Sequence, residues 1–95
     1  MSDTKHTKGP WHEGSHRAIE SQSGTICEVY SHMGIEEADA NQKLIAAAPD
    51  LLDALHLALP FVEDHAGDPC YKAGAVDKAV KTIKAAIAKA TGGAA

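Results

Sequence analysis

A chain of 95 residues with 13 acids, nine lysines or arginines and a net charge of −4 reads as one small domain, because at this length only about 60 to 65 per cent of the unfolded surface can be buried. An acidic surface repels phosphate backbones, which argues against general DNA or RNA binding. No apolar run approaches the roughly 20 residues needed to span a bilayer, and the opening MSDTKHTKGPW holds no signal-like apolar stretch, so a cytoplasmic protein with no membrane partner is expected.

The core is expected to be thin. The 18 alanines outnumber the six leucines, six isoleucines, four valines and single phenylalanine, and each buried alanine contributes only about one CH₂ group, roughly 0.8 kcal/mol. Chains built this way gain stability from a partner subunit. Cys27 and Cys70 show no pairing pattern and are expected to stay reduced.

In chain order, residues 1–8 read as a polar arm. Gly9-Pro10 punctuates the chain before Trp11, and Trp11, Ala18-Ile19 and the run Thr25 to Tyr30 read as three short strands of an antiparallel meander over residues 9–33. Glu13-Gly14-Ser15 and Ser21-Gln22-Ser23-Gly24 supply the turn chemistry between them. Both faces of the third strand carry apolar side chains, so such a sheet needs cover on both sides.

Helical periodicity then occupies residues 35–64. Glu36 and Glu37 suit a helix N-terminus, and Leu44, Ile45 and Ala48 form one stripe. Pro49 either breaks the segment into two helices or kinks a single long one, because proline lacks an N–H and clashes with the carbonyl four residues back. Leu51, Leu52, Leu55, Leu59 and Val62 continue the stripe. After His65-Ala66-Gly67-Asp68-Pro69, a last helix is expected from about Lys72 to Thr91, stopped by Gly92-Gly93. Its alanines alternate with Val76, Val80, Ile83 and Ile87, which predicts a close antiparallel approach to the preceding helix. The fold class is therefore α+β: a small N-terminal three-stranded sheet followed by an antiparallel helical pair, in an oligomer.

No catalytic constellation accompanies these elements. The six histidines, His6, His12, His16, His32, His56 and His65, lack the spacing of a zinc site, and His12 and His16 fall across a turn. No serine sits in a nucleophile elbow, and neither cysteine has an evident histidine partner. A non-enzymatic protein without metal or cofactor is expected. The one chemical concentration is at the front: Lys5, His6, Lys8, Gly9, Trp11, His12, His16 and Arg17 lie within thirteen residues. Cations for a phosphate, a ring for a base and glycine N–H groups for close approach suit a nucleotide-like small molecule. The competing reading is a solvated arm with Trp11 covering the sheet. Tyr30, at a strand end, and Asn41, on the exposed side of the first helix, are further candidates, since asparagine gives up helix propensity that a hydrogen-bonding role would explain.

The order Gly9-Pro10-Trp11, short strands ending in Glu28-Val29-Tyr30, then Asn41, Leu44, Ile45, Ala46 to Ala48, Pro49, Asp50, Leu51 and Leu52, resembles a widespread group of small phage and prophage proteins. The likeness covers roughly residues 7 to 60. Within that group the chain is most similar to the Thoeris anti-defence type, phage "sponge" proteins that bind cyclic ADP-ribose isomers, and in some members cyclic oligonucleotides, so that host immune effectors are not activated. The resemblance implies a homo-oligomer, dimer or hexamer, with ligands at subunit junctions in the cytoplasm of an infected bacterium. It points to Arg17, to Trp11 or Tyr30, and to Asn41 as contacts, with Lys5, Lys8 or the histidines, His12 and His16 among them, standing in for the further arginines this chain lacks, and Lys43 a further binding candidate. A different class is also compatible with the residues: a phage protein-protein inhibitor such as an acidic anti-CRISPR protein, whose face from Glu28 to Asp68 imitates nucleic acid and whose complex salt would weaken. A virion or assembly factor is a third.

Overall fold

Gly9-Pro10, joined by a cis peptide bond, delivers the chain into β1 (His12–Glu13), and a tight turn at Ser15–Arg17 leads it back into β2 (Ala18–Ser21). The turn Gln22-Ser23 leads into β3 (Gly24–Glu28). This computed structural model describes residues 5–30, 32, 34–72 and 74–92, so the opening four residues of the expected polar arm and Gly93 of the expected stop signal lie outside the described residues.

The strands form an antiparallel sheet in the order β1-β2-β3. Their register is His12 opposite Glu20 and Glu13 opposite Ile19 on one side of β2, and Ala18 opposite Glu28 and Ile19 opposite Cys27 on the other. Ile26 is an extra residue against the Ile19–Glu20 step, a bulge that sharpens the local twist. Trp11 sits just before β1 rather than in a strand. Its indole N–H donates to the Thr7 carbonyl at 3.0 Å, which ties the described part of the arm to the sheet.

Consecutive strand residues point to opposite faces, and Ala18 and Ile19 are both buried. Both faces of β2 are therefore covered, as the sequence required. One cover is α1 (Ile35–Ala46), which approaches β1 and β2. Ala38 and Gln42, one turn apart, are its buried residues. The Gln42 amide donates to the Ala18 carbonyl at 3.1 Å and, more weakly, to the Gly14 carbonyl at 3.4 Å, which fixes the helix over the turn between β1 and β2.

The helical path breaks at Ala47, two residues ahead of the proline, and α2 runs Ala48–Glu63. Pro49 thus falls in the first turn of α2, where a missing N–H has no intrahelical partner to lose. The Leu51 N–H donates to the Ala47 carbonyl at 2.9 Å to close that turn. Pro60, inside α2, is accommodated without ending the helix. The last helix, α3 (Ala75–Thr91), starts three residues later than the periodicity indicated and ends at Gly92, whose left-handed φ of 70° is the conformation a side chain disfavours.

The chain divides into two compact units, Met1–Leu51 and Leu52–Ala95. In the first, Ala18, Ile19, Ser21, Ala38, Gln42 and Pro49 are buried. In the second, Leu52 is the sole buried residue among those described. The helical pair is linked by a Glu63–Lys84 ion pair at 3.3 Å, but no residue of α3 is buried and the backbones of α2 and α3 meet at no more than isolated points. The close alanine-lined approach is not formed: Ala75, Ala86 and Ala90 are exposed, and Val76, Val80, Ile83 and Ile87 are only half-buried. No single helix is long and apolar enough to cross a membrane.

Candidate functional site

The sheet separates what the sequence placed together. Trp11 and His12 belong to the β1 edge, and Tyr30 follows β3 at the opposite edge, two strand spacings or roughly 10 Å away. Helix α1 lies over the sheet and sorts its own side chains the same way, because residues one position apart are rotated by about 100°. Asp39 and Lys43 occupy one flank, Asn41 and Ile45 the other.

On the first flank the cations are engaged. The Arg17 guanidinium donates to the Asp39 carboxylate, and the Lys43 ammonium lies 3.6 Å from Glu13. Arg17 is held there by an unusual backbone: both it and His16 adopt left-handed conformations, with φ of 59° and 58°, a region that non-glycine residues enter at a cost of order 1–3 kcal/mol. The Val29 N–H donates to the Arg17 carbonyl at 3.0 Å, which helps hold the turn. Lys8, His12 and His16 are exposed and make no ion pair among the described residues. Since exposed pairs contribute a median of about 0–1 kcal/mol, Arg17→Ala should change the thermal midpoint by no more than a few degrees; a large loss would show that the Asp39 pair anchors the turn.

On the second flank a groove of about 260 Å³ opens between the end of β3 and α1. Val29, Leu44 and Ile45 give it apolar surface, and Glu28, Tyr30, His32 and Asn41 give it polar and aromatic edges. The Tyr30 side chain is 76% exposed and Leu44 is 62% exposed. An apolar surface with a few converging polar groups is how small-molecule sites are built. Two of the sequence candidates, Tyr30 and Asn41, meet in this groove. Glu28 and His32 are not among the ligand candidates of the sequence: Glu28 figures there only as the start of the acidic face of the inhibitor reading and His32 among the histidines weighed for metal, although strand alternation sets Glu28 on the same face as Tyr30.

A larger hollow of about 400 Å³ lies in the connection between α2 and α3, lined by residues including Asp68, Tyr71, Lys72 and Asp77. It is formed mainly by turn geometry. The Asp68 carboxylate already accepts from the Cys70 N–H at 2.8 Å, and no residue favoured by the sequence lines it. Among the described residues no three His, Cys, Asp or Glu side chains are grouped to hold a metal ion.

A family model described as Salmonella phage P22 protein Y8K6 matches residues 1–94. No curated protein and no solved structure matches the chain.

Proposed function

Since this chain belongs to the family of Salmonella phage P22 protein Y8K6, we propose that it is a phage anti-defence protein that sequesters a cyclic nucleotide immune signal, a cyclic ADP-ribose isomer or a cyclic oligonucleotide, in the cytoplasm of the infected bacterium. It acts by binding and without catalysis. The observation that carries this reading is the groove at the end of β3, where the exposed Tyr30 ring and the Asn41 side chain border an apolar surface. A ring offers a stacking face to a base, worth about 1–3 kcal/mol per base.

Self-assembly belongs to the same reading. Ile35, Leu44, Leu51, Leu57 and Phe61 are exposed, and Leu52–Ala95 has a single buried residue among those described. Further copies would cover that apolar surface. They would also bring cations to an anionic ligand, since no lysine or arginine among the described residues lines the groove and Arg17 and Lys43 lie on the other flank, paired with acids. Lys5 and Lys8, with the imidazoles of His12 and His16, are exposed at the sheet end of the chain, where a neighbouring copy could contribute them.

Thermal melts with cyclic ADP-ribose isomers and cyclic dinucleotides test the proposal. A ligand at a hundred times its Kd stabilises the folded state by about 2.7 kcal/mol, a rise of several degrees. Tyr30→Ala should remove the rise without lowering the ligand-free midpoint, because the ring is mostly in solvent. No shift with any of these ligands at millimolar concentration overturns the proposal.

A further inference from the structure

The geometry points to Glu28 as the residue that selects the base, and to guanine as the base selected. This rests on the cyclic-oligonucleotide arm of the sequestration reading, since a cyclic ADP-ribose isomer carries adenine, and concerns the same groove.

The first constraint is size. At about 260 Å³ the groove falls just below the roughly 300–1,000 Å³ of sites that enclose a whole drug-sized ligand. It accommodates one ring system, with sugar and phosphate left at the mouth. That arrangement also suits the charge of the site, because Glu28 would repel a phosphate drawn inside.

Within the groove, Glu28 is the one carboxylate and Tyr30 the aromatic platform. The Glu28 side chain makes no ion pair or hydrogen bond among the described residues, and the residue is exposed. An ionised carboxylate only accepts, through two oxygens side by side. Of the common bases, guanine alone presents two adjacent donors, its ring N1–H and exocyclic N2–H, at the spacing a carboxylate can receive together. Adenine and cytosine offer an amino donor beside a ring nitrogen lone pair, which the second oxygen would repel. Uracil offers one N–H flanked by two carbonyls. A base lying against Tyr30 with its donor edge toward Glu28 is therefore read as guanine.

A well-made bidentate contact discriminates by about 1–3 kcal/mol, and solvent exposure places this one toward the lower end. Calorimetric titration of the protein with cyclic di-GMP and cyclic di-AMP should give at least about fivefold tighter binding of the guanine compound. Glu28→Gln, whose amide pairs with adenine's amino group and ring nitrogen instead, should abolish that ratio by weakening cyclic di-GMP binding and strengthening that of cyclic di-AMP. The change is on an exposed side chain at the end of β3, so the thermal midpoint should hold.

Equal affinities for the two dinucleotides, or a ratio unaltered by Glu28→Gln, would overturn guanine selection. If neither dinucleotide binds while a cyclic ADP-ribose isomer does, sequestration stands and guanine selection falls. If no cyclic nucleotide binds, both fall.

Discussion

Ile19→Ala should lower the thermal midpoint by at least about 10 °C, the largest stability effect expected of any single truncation in the Met1–Leu51 unit. Ile19 is 0% exposed, and it is the one large side chain that the fold buries completely among the described residues. It sits in the middle strand, paired with Glu13 on one side and Cys27 on the other, so no edge can relax to fill a void. Truncation of a buried isoleucine to alanine costs about 2–5 kcal/mol, and 1 kcal/mol corresponds to about 4–8 °C in small domains. At roughly 0.05–0.15 kcal/mol per residue, a unit of this size has little stability in reserve. Circular dichroism melts of the two proteins measure the effect. A fall of only a few degrees would mean that the stability of the sheet comes mainly from contacts between copies.

The elements were legible in the sequence wherever local chemistry decides. Gly-Ser turns separated the strands, Glu36 and Glu37 opened α1, and Gly92 closed α3, each through a rule that needs no tertiary information. What escaped were features imposed by distant parts of the chain. The bulge at Ile26 arises in the pairing of β3 with β2, and the left-handed pair His16-Arg17 lies in the turn between β1 and β2 over which α1 is held. That hold runs through Gln42, whose amide meets carbonyls 24 and 28 residues earlier in the chain. A glutamine on a helix face gives no sign of such a role.

The site was legible to a lesser degree, for a related reason. Tyr30 and Asn41 could be paired in advance because a strand end and the first helix after it are neighbours in most small α+β arrangements. The cationic run from Lys5 to Arg17 could not be resolved the same way. Closeness along a meander is not closeness in space, and the sheet carries Trp11 and His12 to the edge opposite Tyr30. Nor does composition disclose that Asp39 and Glu13 would engage the two cations nearest α1.

Gly9→Ala is expected to destabilise the protein by about 1–3 kcal/mol, the usual cost of forcing an extra carbon into filled space. A Cβ built on Gly9 would lie 3.0 Å from the Cβ of Pro49, and Pro49 is buried in the first turn of α2, where the ring cannot swing aside as a surface side chain would. The consequence bears on the sequence signature itself: its two ends, Gly-Pro-Trp and the Ala-Pro that opens α2, meet in the fold, and a side chain at the first would crowd the proline at the second. A double-mutant cycle isolates that contact. Pro49→Gly removes the opposing carbon, at a separate cost to the helix start, so Gly9→Ala should do less harm in the Pro49→Gly background than in the natural chain. Urea titrations of the four proteins supply the comparison. Strict additivity would show that Gly9 is needed for some reason other than its contact with Pro49, and the pairing of glycine with proline would then no longer explain the signature.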